Sequence, residues 1–201
     1  MGSFDVLDTV TSSARFVREF ARAPQRTGAI LPSSPFLAQK VVEWIDWPST
    51  SSVLEWGPGT GAFTELILRR MHSNCRYLGF EVNPSLCEML RRRFPEAHFC
   101  HESVANAGYV CATECMEEAD CVISGLPWAA FPESRQLQFL DAMMAVLRPG
   151  GQFTTFAYLH GLSLPAGRRF RELLQAHFSS FVRSEVVWLN VPPAVVYRCR
   201  R

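Results

Sequence analysis

The stretch Val53-Leu54-Glu55-Trp56-Gly57-Pro58-Gly59-Thr60-Gly61 decides the fold of this 201-residue chain. Residues 53–56 read as a short buried strand, and residues 62–71 carry the spacing of a helix. Glycines between them let the backbone turn sharply and approach a ligand with no Cβ in the way. A Gly-x-Gly-x-Gly run alone is a weak signal, since any tight strand-to-helix turn can use one. Two carboxylates sharpen it: Glu55 precedes the glycines, and Glu81 ends the next strand, residues 77–82. A carboxylate placed there can accept both hydroxyls of a ribose, so the layout points to a nucleotide-type cofactor, a dinucleotide or another of that kind.

Outward from this point strands and helices alternate. Upstream, Ser33-Ser34-Pro35 starts a helix by the cap-then-proline rule, and its pattern runs to about Trp47. Downstream, Asn83-Pro84 caps a helix ending near Phe94, and residues 97–100 and 120–124 read as the third and fourth strands. A helix over 133–147 leads to Arg148-Pro149-Gly150-Gly151, a turn by composition, and a fifth strand follows over 152–157. A helix over 168–177 and two late strands, 182–189 and 194–199, complete the pattern. The reading is one α/β domain: a single Rossmann-like, doubly wound, mostly parallel seven-stranded sheet with an N-terminal amphipathic helix. Residues 1–32 form that helical segment and residues 33–201 the cofactor-binding domain.

Composition narrows the class. A hydrophobic share of 48% against 19% charged residues describes a globular domain, and no apolar run is long enough to cross a bilayer. The formal net charge of +1 supplies no global field for nucleic acid. Asp5 and Asp8 lie where a secretory signal would begin with basic residues, which argues for a cytoplasmic protein. The seven cysteines form no Cys-x-x-Cys pair; Cys111, Cys115 and Cys121 come closest to a cluster and read as free thiols, so no metal is expected.

The form Glu-x-Gly-Pro-Gly-Thr-Gly resembles motif I of class I methyltransferases, which use S-adenosylmethionine. That resemblance implies that Gly57, Gly59 and Gly61 cradle the methionine and ribose portion, that Glu55 sits near the methionine amino group, and that Glu81 binds the ribose. It places Glu102, Ser103 and Val104 at the adenine, where Glu102 can take the exocyclic amine or serve as a solvated loop acid. Asn83 reads better as a helix cap.

After the fourth strand, Ser124-Gly125-Leu126-Pro127-Trp128 looks like the Asn/Asp-x-Pro-aromatic motif of amino-methyltransferases, in which a polar side chain and carbonyls hold the target nitrogen. Here the polar position is Gly125, which departs from the ribosomal RNA adenine dimethyltransferases that residues 28–128 otherwise resemble. Ser124 substitutes only with a register shift. Three stretches together, 28–38, 124–127 and Trp188-Leu189-Asn190-Val191-Pro192-Pro193-Ala194 with Val196-Tyr197, resemble bacterial phospholipid N-methyltransferases, which convert phosphatidylethanolamine stepwise to phosphatidylcholine. Those enzymes often carry Phe-Thr-Tyr-Gly where this chain reads Phe156-Ala157-Tyr158-Leu159.

The resemblance implies Gly125 and Leu126 at the reacting nitrogen, with Pro127 and Trp128 against the substrate. A branched side chain at Gly125 is expected to block the acceptor path with the fold intact. Tyr158 and His160 are the base or hydrogen-bond candidates, although His160 also reads as an exposed loop histidine. Trp128, Tyr158 and Trp188 can hold a methylated ammonium by cation–π attraction, while Trp128 also reads as a packed indole and Trp188 as a core residue. The N-terminal helix, residues 4–22, carries Val6, Val10, Val17 and Phe20 beside Arg15, Arg18 and Arg22. It suits either the headgroup region of an anionic membrane or a lid over the cleft. The expected partners are a phospholipid substrate and an anionic membrane surface, with the protein peripheral on the inner face. An RNA adenine N6-methyltransferase and a non-catalytic, cofactor-binding protein that docks on membranes are the competing readings.

Overall fold

The computed structural model describes residues 33–116 and 118–201. The helix expected over residues 4–22, and the 1–32 segment with it, lies outside the described residues. A seven-stranded sheet runs in the order β3-β2-β1-β4-β5-β7-β6. Its strands are β1 (Ser52–Trp56), β2 (Arg76–Phe80), β3 (His98–Cys100), β4 (Ala119–Ser124), β5 (Leu147–Tyr158), β6 (Ser180–Arg183) and β7 (Ala194–Arg200). The first five pair in parallel, and β7 is antiparallel to both β5 and β6. The doubly wound, mostly parallel architecture read from the alternation is the one observed.

Both faces of the central strands are buried. Along β1, Leu54 and Trp56 enter one apolar layer and Val53 the other; along β4, Val122 enters the first and Cys121 and Ile123 the second. This period of two with both faces apolar is what a helix-covered parallel sheet requires. The first layer centres on Trp128, stacked on Phe170 at 4.4 Å and met edge-on by Phe131, Phe139 and Phe153.

The helices are α1 (Pro35–Val42), α2 (Ala62–Arg70), α3 (Pro84–Arg93), α4 (Ala107–Thr113), α5 (Glu133–Val146), α6 (Leu159–Leu162) and α7 (Pro165–His177). Ser34 caps α1 as expected, its hydroxyl accepting the Leu37 N–H. The helix stops at Val42, short of Trp47, where a 3-10 turn over Trp47–Ser49 takes over. Pro48 disfavours continued α-helical geometry at Trp47, and the Trp47 indole donates to the Val42 carbonyl at 3.1 Å, beside the Ile45 N–H that the same oxygen accepts.

Four further differences have local causes. Residues 148–151, read as a turn, are absorbed into β5: Gly150 takes φ 74° and the β4–β5 register shifts between Ala119 and Cys121. The composition marks a bulge. The last helix starts at Pro165, three residues before the expected 168, because Pro165 holds its first position. α4 is an additional helix, too short for a clear period, and it buries only Ala107, Val110 and Cys111. β6 covers Ser180–Arg183 and not 182–189; beyond it Ser184 bonds Val196 and Val187 bridges Ala194, and Pro192 and Pro193 have no N–H to extend a ladder.

Among the described residues no helix is long and apolar enough to cross a membrane. Truncating Trp128 to alanine removes the centre of the aromatic layer and should lower unfolding free energy by about 3–5 kcal/mol. A urea titration measures this; a loss below about 1 kcal/mol would show that the layer does not depend on the indole.

Candidate active site

Strand order reverses between β1 and β4, and there the two chains leave the sheet side by side. Trp56 pairs with Ser124 in register, so the next residues, Gly57 and Gly125, meet at once. The Gly125 N–H donates to the Trp56 carbonyl at 2.8 Å, and the Gly57 N–H donates to the Phe80 carbonyl at 2.9 Å. A Cβ on Gly125 would stand 2.5 Å from the Gly57 carbonyl oxygen, and one on Gly57 would stand 2.7 Å from Leu126 Cδ2. Gly125 is therefore a contact with the glycine loop, and a side chain there pushes on backbone. That corrects the expectation of a branched residue accommodated with the fold intact. Gly61, at φ 85°, begins α2 and would meet Phe94 with any Cβ, whereas nothing lies within 4 Å of a Cβ on Gly59.

Glu81 follows β2 and is almost fully buried. One carboxylate oxygen accepts the Gly59 N–H at 3.0 Å and the other the Asn83 N–H at 2.9 Å. Burial raises its pKa, and the backbone donors from Asn83 and Gly59 oppose that rise. Asn83 caps α3, its Oδ1 accepting from the Ser85 and Leu86 N–H groups.

Glu55 is completely buried on β1. Thr64 Oγ1 and the Tyr77 hydroxyl both donate to Oε2, at 2.8 and 2.5 Å, while Oε1 has no partner among the described residues. Burial pushes the carboxyl up to about 7, against the hydrogen bonds from Tyr77 and Thr64, and nearby Glu81 adds to the rise.

The loop after β3 lies beside the loop after β2: the Glu81 N–H donates to the Cys100 carbonyl at 3.0 Å. Glu102 Oε1 accepts from the Ser103 N–H and from Asn106 Nδ2, Ser103 Oγ caps the next turn, and Val104 is buried in the core.

On the acceptor side, Gly125 and Pro127 are half-buried, and Leu126 and Trp128 are buried. Ser124 Oγ accepts from Trp128 Nε1 at 3.0 Å and the Leu126 N–H at 3.3 Å, and it is itself fully enclosed. Two tryptophan readings change. Trp128 is 2% exposed with a face stacked on Phe170, so its ring gives no open wall for an ammonium and shapes the turn from within. Trp188 is 69% exposed and is not a core residue. Tyr158 ends β5 half-buried, and burial holds its phenol above the usual value. Its ring stacks on that of exposed His160 at 5.6 Å.

Sequence reasoning missed Thr64, Tyr77 and Gln136. Gln136 is fully buried on α5 and donates to the Trp128 carbonyl at 2.7 Å and the Ala166 carbonyl at 3.1 Å, tying the turn after β4, the candidate acceptor turn, to α7. A single polar residue in a helix pattern carries no signal of such a role. Cys111 and Cys121 lie in opposite apolar layers. A different trio, His98, Cys100 and Glu114, has donor atoms within 4.8 Å of one another. Its His98–Glu114 contact of 3.5 Å is an exposed ion pair beside a thiol that burial pushes up to about 11.

A family model described as a methyltransferase domain matches residues 53–151. The chain is 31% identical over 188 residues to an ornithine lipid N-methyltransferase of Singulisphaera acidiphila, covering 92% of this chain and 94% of that protein. Its fold is similar to an O-methyltransferase from Bacillus cereus in complex with S-adenosylhomocysteine (TM-score 0.63, 15% identity, 98% and 94% of the two chains). It is also similar to the Burkholderia thailandensis 1,6-didemethyltoxoflavin-N1-methyltransferase (TM-score 0.62, 15% identity, 100% and 93%).

Gly125→Val should destabilise the protein by about 1–3 kcal/mol, the usual cost of forcing extra atoms into a closed contact, with activity lost alongside. Unchanged urea stability would show that the two loops do not touch. Glu55 yields a pH signature in the cofactor-free protein. Its folded-state value of about 7 lies above the ordinary 4.5, so the stability it contributes is complete below about 4.5 and is lost as pH rises through 7. Stability of wild type relative to Glu55→Gln should fall across that window; a flat difference would mean that Glu55 titrates normally.

Proposed function

Because the chain belongs to the class I S-adenosylmethionine-dependent methyltransferases, we propose that it methylates the amine of a membrane-lipid headgroup. The acceptors are phosphatidylethanolamine and its mono- and dimethyl forms, and the product is phosphatidylcholine. The observation that carries this reading is similarity along nearly the whole chain to a lipid N-methyltransferase. That relative's name favours a second acceptor of the same class, the amine of an ornithine lipid. The enzyme works as a peripheral protein at the inner face of the membrane, needs no metal, and takes no nucleic acid.

The residues fit the cofactor. Glu55 Oε1 is a buried carboxylate oxygen with no partner among the described residues, which a ligand ammonium would satisfy. The side of Gly59 that a Cβ would fill is open, and Glu81 keeps lone pairs beyond its two backbone donors for ribose hydroxyls. Gly57, Gly59 and Gly61 would hold the methionine and ribose portion, and Glu102, Ser103 and Val104 the adenine. When bound, S-adenosylmethionine supplies a methyl group on a positively charged sulfur, which a neutral nitrogen displaces in line.

The chain's own contribution is to position that nitrogen and keep it neutral. A primary amine is mostly protonated at neutral pH, with lysine near 10.4 as the reference, and a poorly solvated site favours the uncharged form. Leu126 and Pro127 exclude water around the Gly125 carbonyl, which accepts a remaining N–H. The Gly125 position has no side-chain acceptor, unlike the Asn/Asp of the adenine enzymes. The Tyr158 hydroxyl stays a neutral phenol, because burial raises its pKa. It therefore orients the amine by hydrogen bonding, and His160, stacked on it at the surface, takes the N–H proton that the amine loses and releases it to solvent.

Labelled S-adenosylmethionine offered with phosphatidylethanolamine, its methylated forms, an ornithine lipid and ribosomal RNA tests the reading. Methyl transfer to the lipid amines alone is expected; label in RNA alone would overturn it. Glu81→Ala should weaken cofactor binding by about 1–3 kcal/mol by calorimetry, and unchanged affinity would remove Glu81 from the ribose.

A further inference from the structure

The connection from β6 to β7 reverses the usual distribution of polar and apolar groups. In Trp188-Leu189-Asn190-Val191, the three apolar side chains are 69%, 65% and 67% exposed, and the polar Asn190 is 2% exposed. Asn190 is held inside: its Oδ1 accepts the Ser34 N–H at 2.9 Å and its Nδ2 donates to the Pro192 carbonyl at 2.7 Å. The backbone is tied down as well. The Val187 N–H donates to the Ala194 carbonyl at 2.7 Å, and the Pro193 carbonyl accepts the Leu159 N–H at 2.9 Å. A loop fixed by these bonds cannot fold its apolar residues inward, so they stay presented to whatever lies outside.

We infer that this tip, residues 187–193, inserts into the interface of a lipid bilayer and sets the enzyme's orientation on it; the inference rests on the lipid-headgroup reading above. Chemistry and position both choose a bilayer as the occupant. No charged residue occurs from 186 to 196, and the nearest, Glu185, is acidic and exposed. The tip thus has nothing to attract an anionic surface and everything to enter an apolar one. An indole with an apolar body and one N–H donor suits the headgroup boundary. As for position, Ala194 pairs with Tyr158 across β5 and β7, and Pro193 bonds Leu159. The tip therefore rises from the same strand ends as the candidate acceptor residues. Phe36, two residues beyond Ser34, and Leu164, two residues beyond α6, are exposed apolar residues as well. A tip sunk to the headgroup level would hold Tyr158 where a lipid amine arrives, with no need to extract the lipid.

Capture by apolar insertion differs from capture by charge in its response to salt. Electrically neutral phosphatidylcholine vesicles, which offer no primary amine, are the probe. Trp188 is the one exposed tryptophan among the described residues: Trp47, Trp56 and Trp128 are buried, and Trp44 is half-buried. Intrinsic fluorescence therefore reports on the tip. On vesicle addition, emission should shift to the blue and be quenched by lipids brominated near the headgroup, equally at low and high salt. Leu189→Ser with Val191→Ser should lower vesicle association about tenfold or more, as loss of large apolar contacts with a lipid phase implies. Both positions are exposed, so the variant should keep its urea stability and its turnover of a short-chain, monomeric amine lipid while losing turnover of the same lipid in vesicles.

Unchanged association in the double serine variant would overturn the inference, and so would association that disappears at high salt. Shielding of Trp188 from a soluble quencher in lipid-free protein would do the same, because the tip would then be covered by residues 1–32 or by a second copy. The two readings fail separately. Methylation of lipid amines with Trp188 unquenched removes the tip and leaves the activity. Quenching without methylation of any lipid amine leaves the tip and removes the activity.

Discussion

The structure depends on the contact between two backbones at the carboxyl ends of β1 and β4. Parallel pairing of Trp56 with Ser124 brings Gly57 and Gly125 together, and a Cβ on either would strike the other loop. The glycine loop that starts α2 and the turn that carries Leu126 and Pro127 are consequently one unit. Neither can shift without the other, because the Gly125 N–H continues the ladder to Trp56 while Gly57 continues it to Phe80. A transferase must bring two reactants into a fixed relation, and in the proposed site this unit would supply one before either is bound.

Two buried carboxylates complete the unit, and they differ in how they are satisfied. Glu81 has backbone donors on both oxygens and ties the glycine loop to the end of β2. Among the described residues, Glu55 has both of its donors on one oxygen and none on the other. Burial raises the pKa of each, so the empty protein holds more carboxylate at this spot than its surroundings favour. A cationic ligand would relieve that cost.

The regular part of the fold was legible because period and glycine spacing are local signals. The positions of β1 to β4, the caps at Ser34 and Asn83, and the glycine loop all follow from neighbours in sequence. The failures are places where the deciding partner is remote. Trp128 and Trp188 sit in similar apolar contexts, yet one finds Ser124, Phe170 and Phe153 around it and the other is turned outward because Asn190 takes the inner position. Thr64, Tyr77 and Gln136 gain their roles only when the sheet brings β1, β2 and the acceptor turn together. The early stop of α1 and the bulge in β5 are different: their causes, Pro48 and Gly150, are local, but an indole-to-carbonyl bond and a register shift leave no periodic trace.

Topology links the outward tip to the site. β7 runs antiparallel between β5 and β6, so β6 points the same way as the parallel strands and ends at their carboxyl edge. The connection to β7 must therefore turn at that edge, beside Tyr158 and the acceptor turn. A βα crossover returns through a helix on a face of the sheet, but this hairpin projects beyond it. Placing one antiparallel strand near the end of an otherwise parallel sheet thus gives the domain a protrusion on its reactive side, and in this chain that protrusion presents its apolar side chains to the outside.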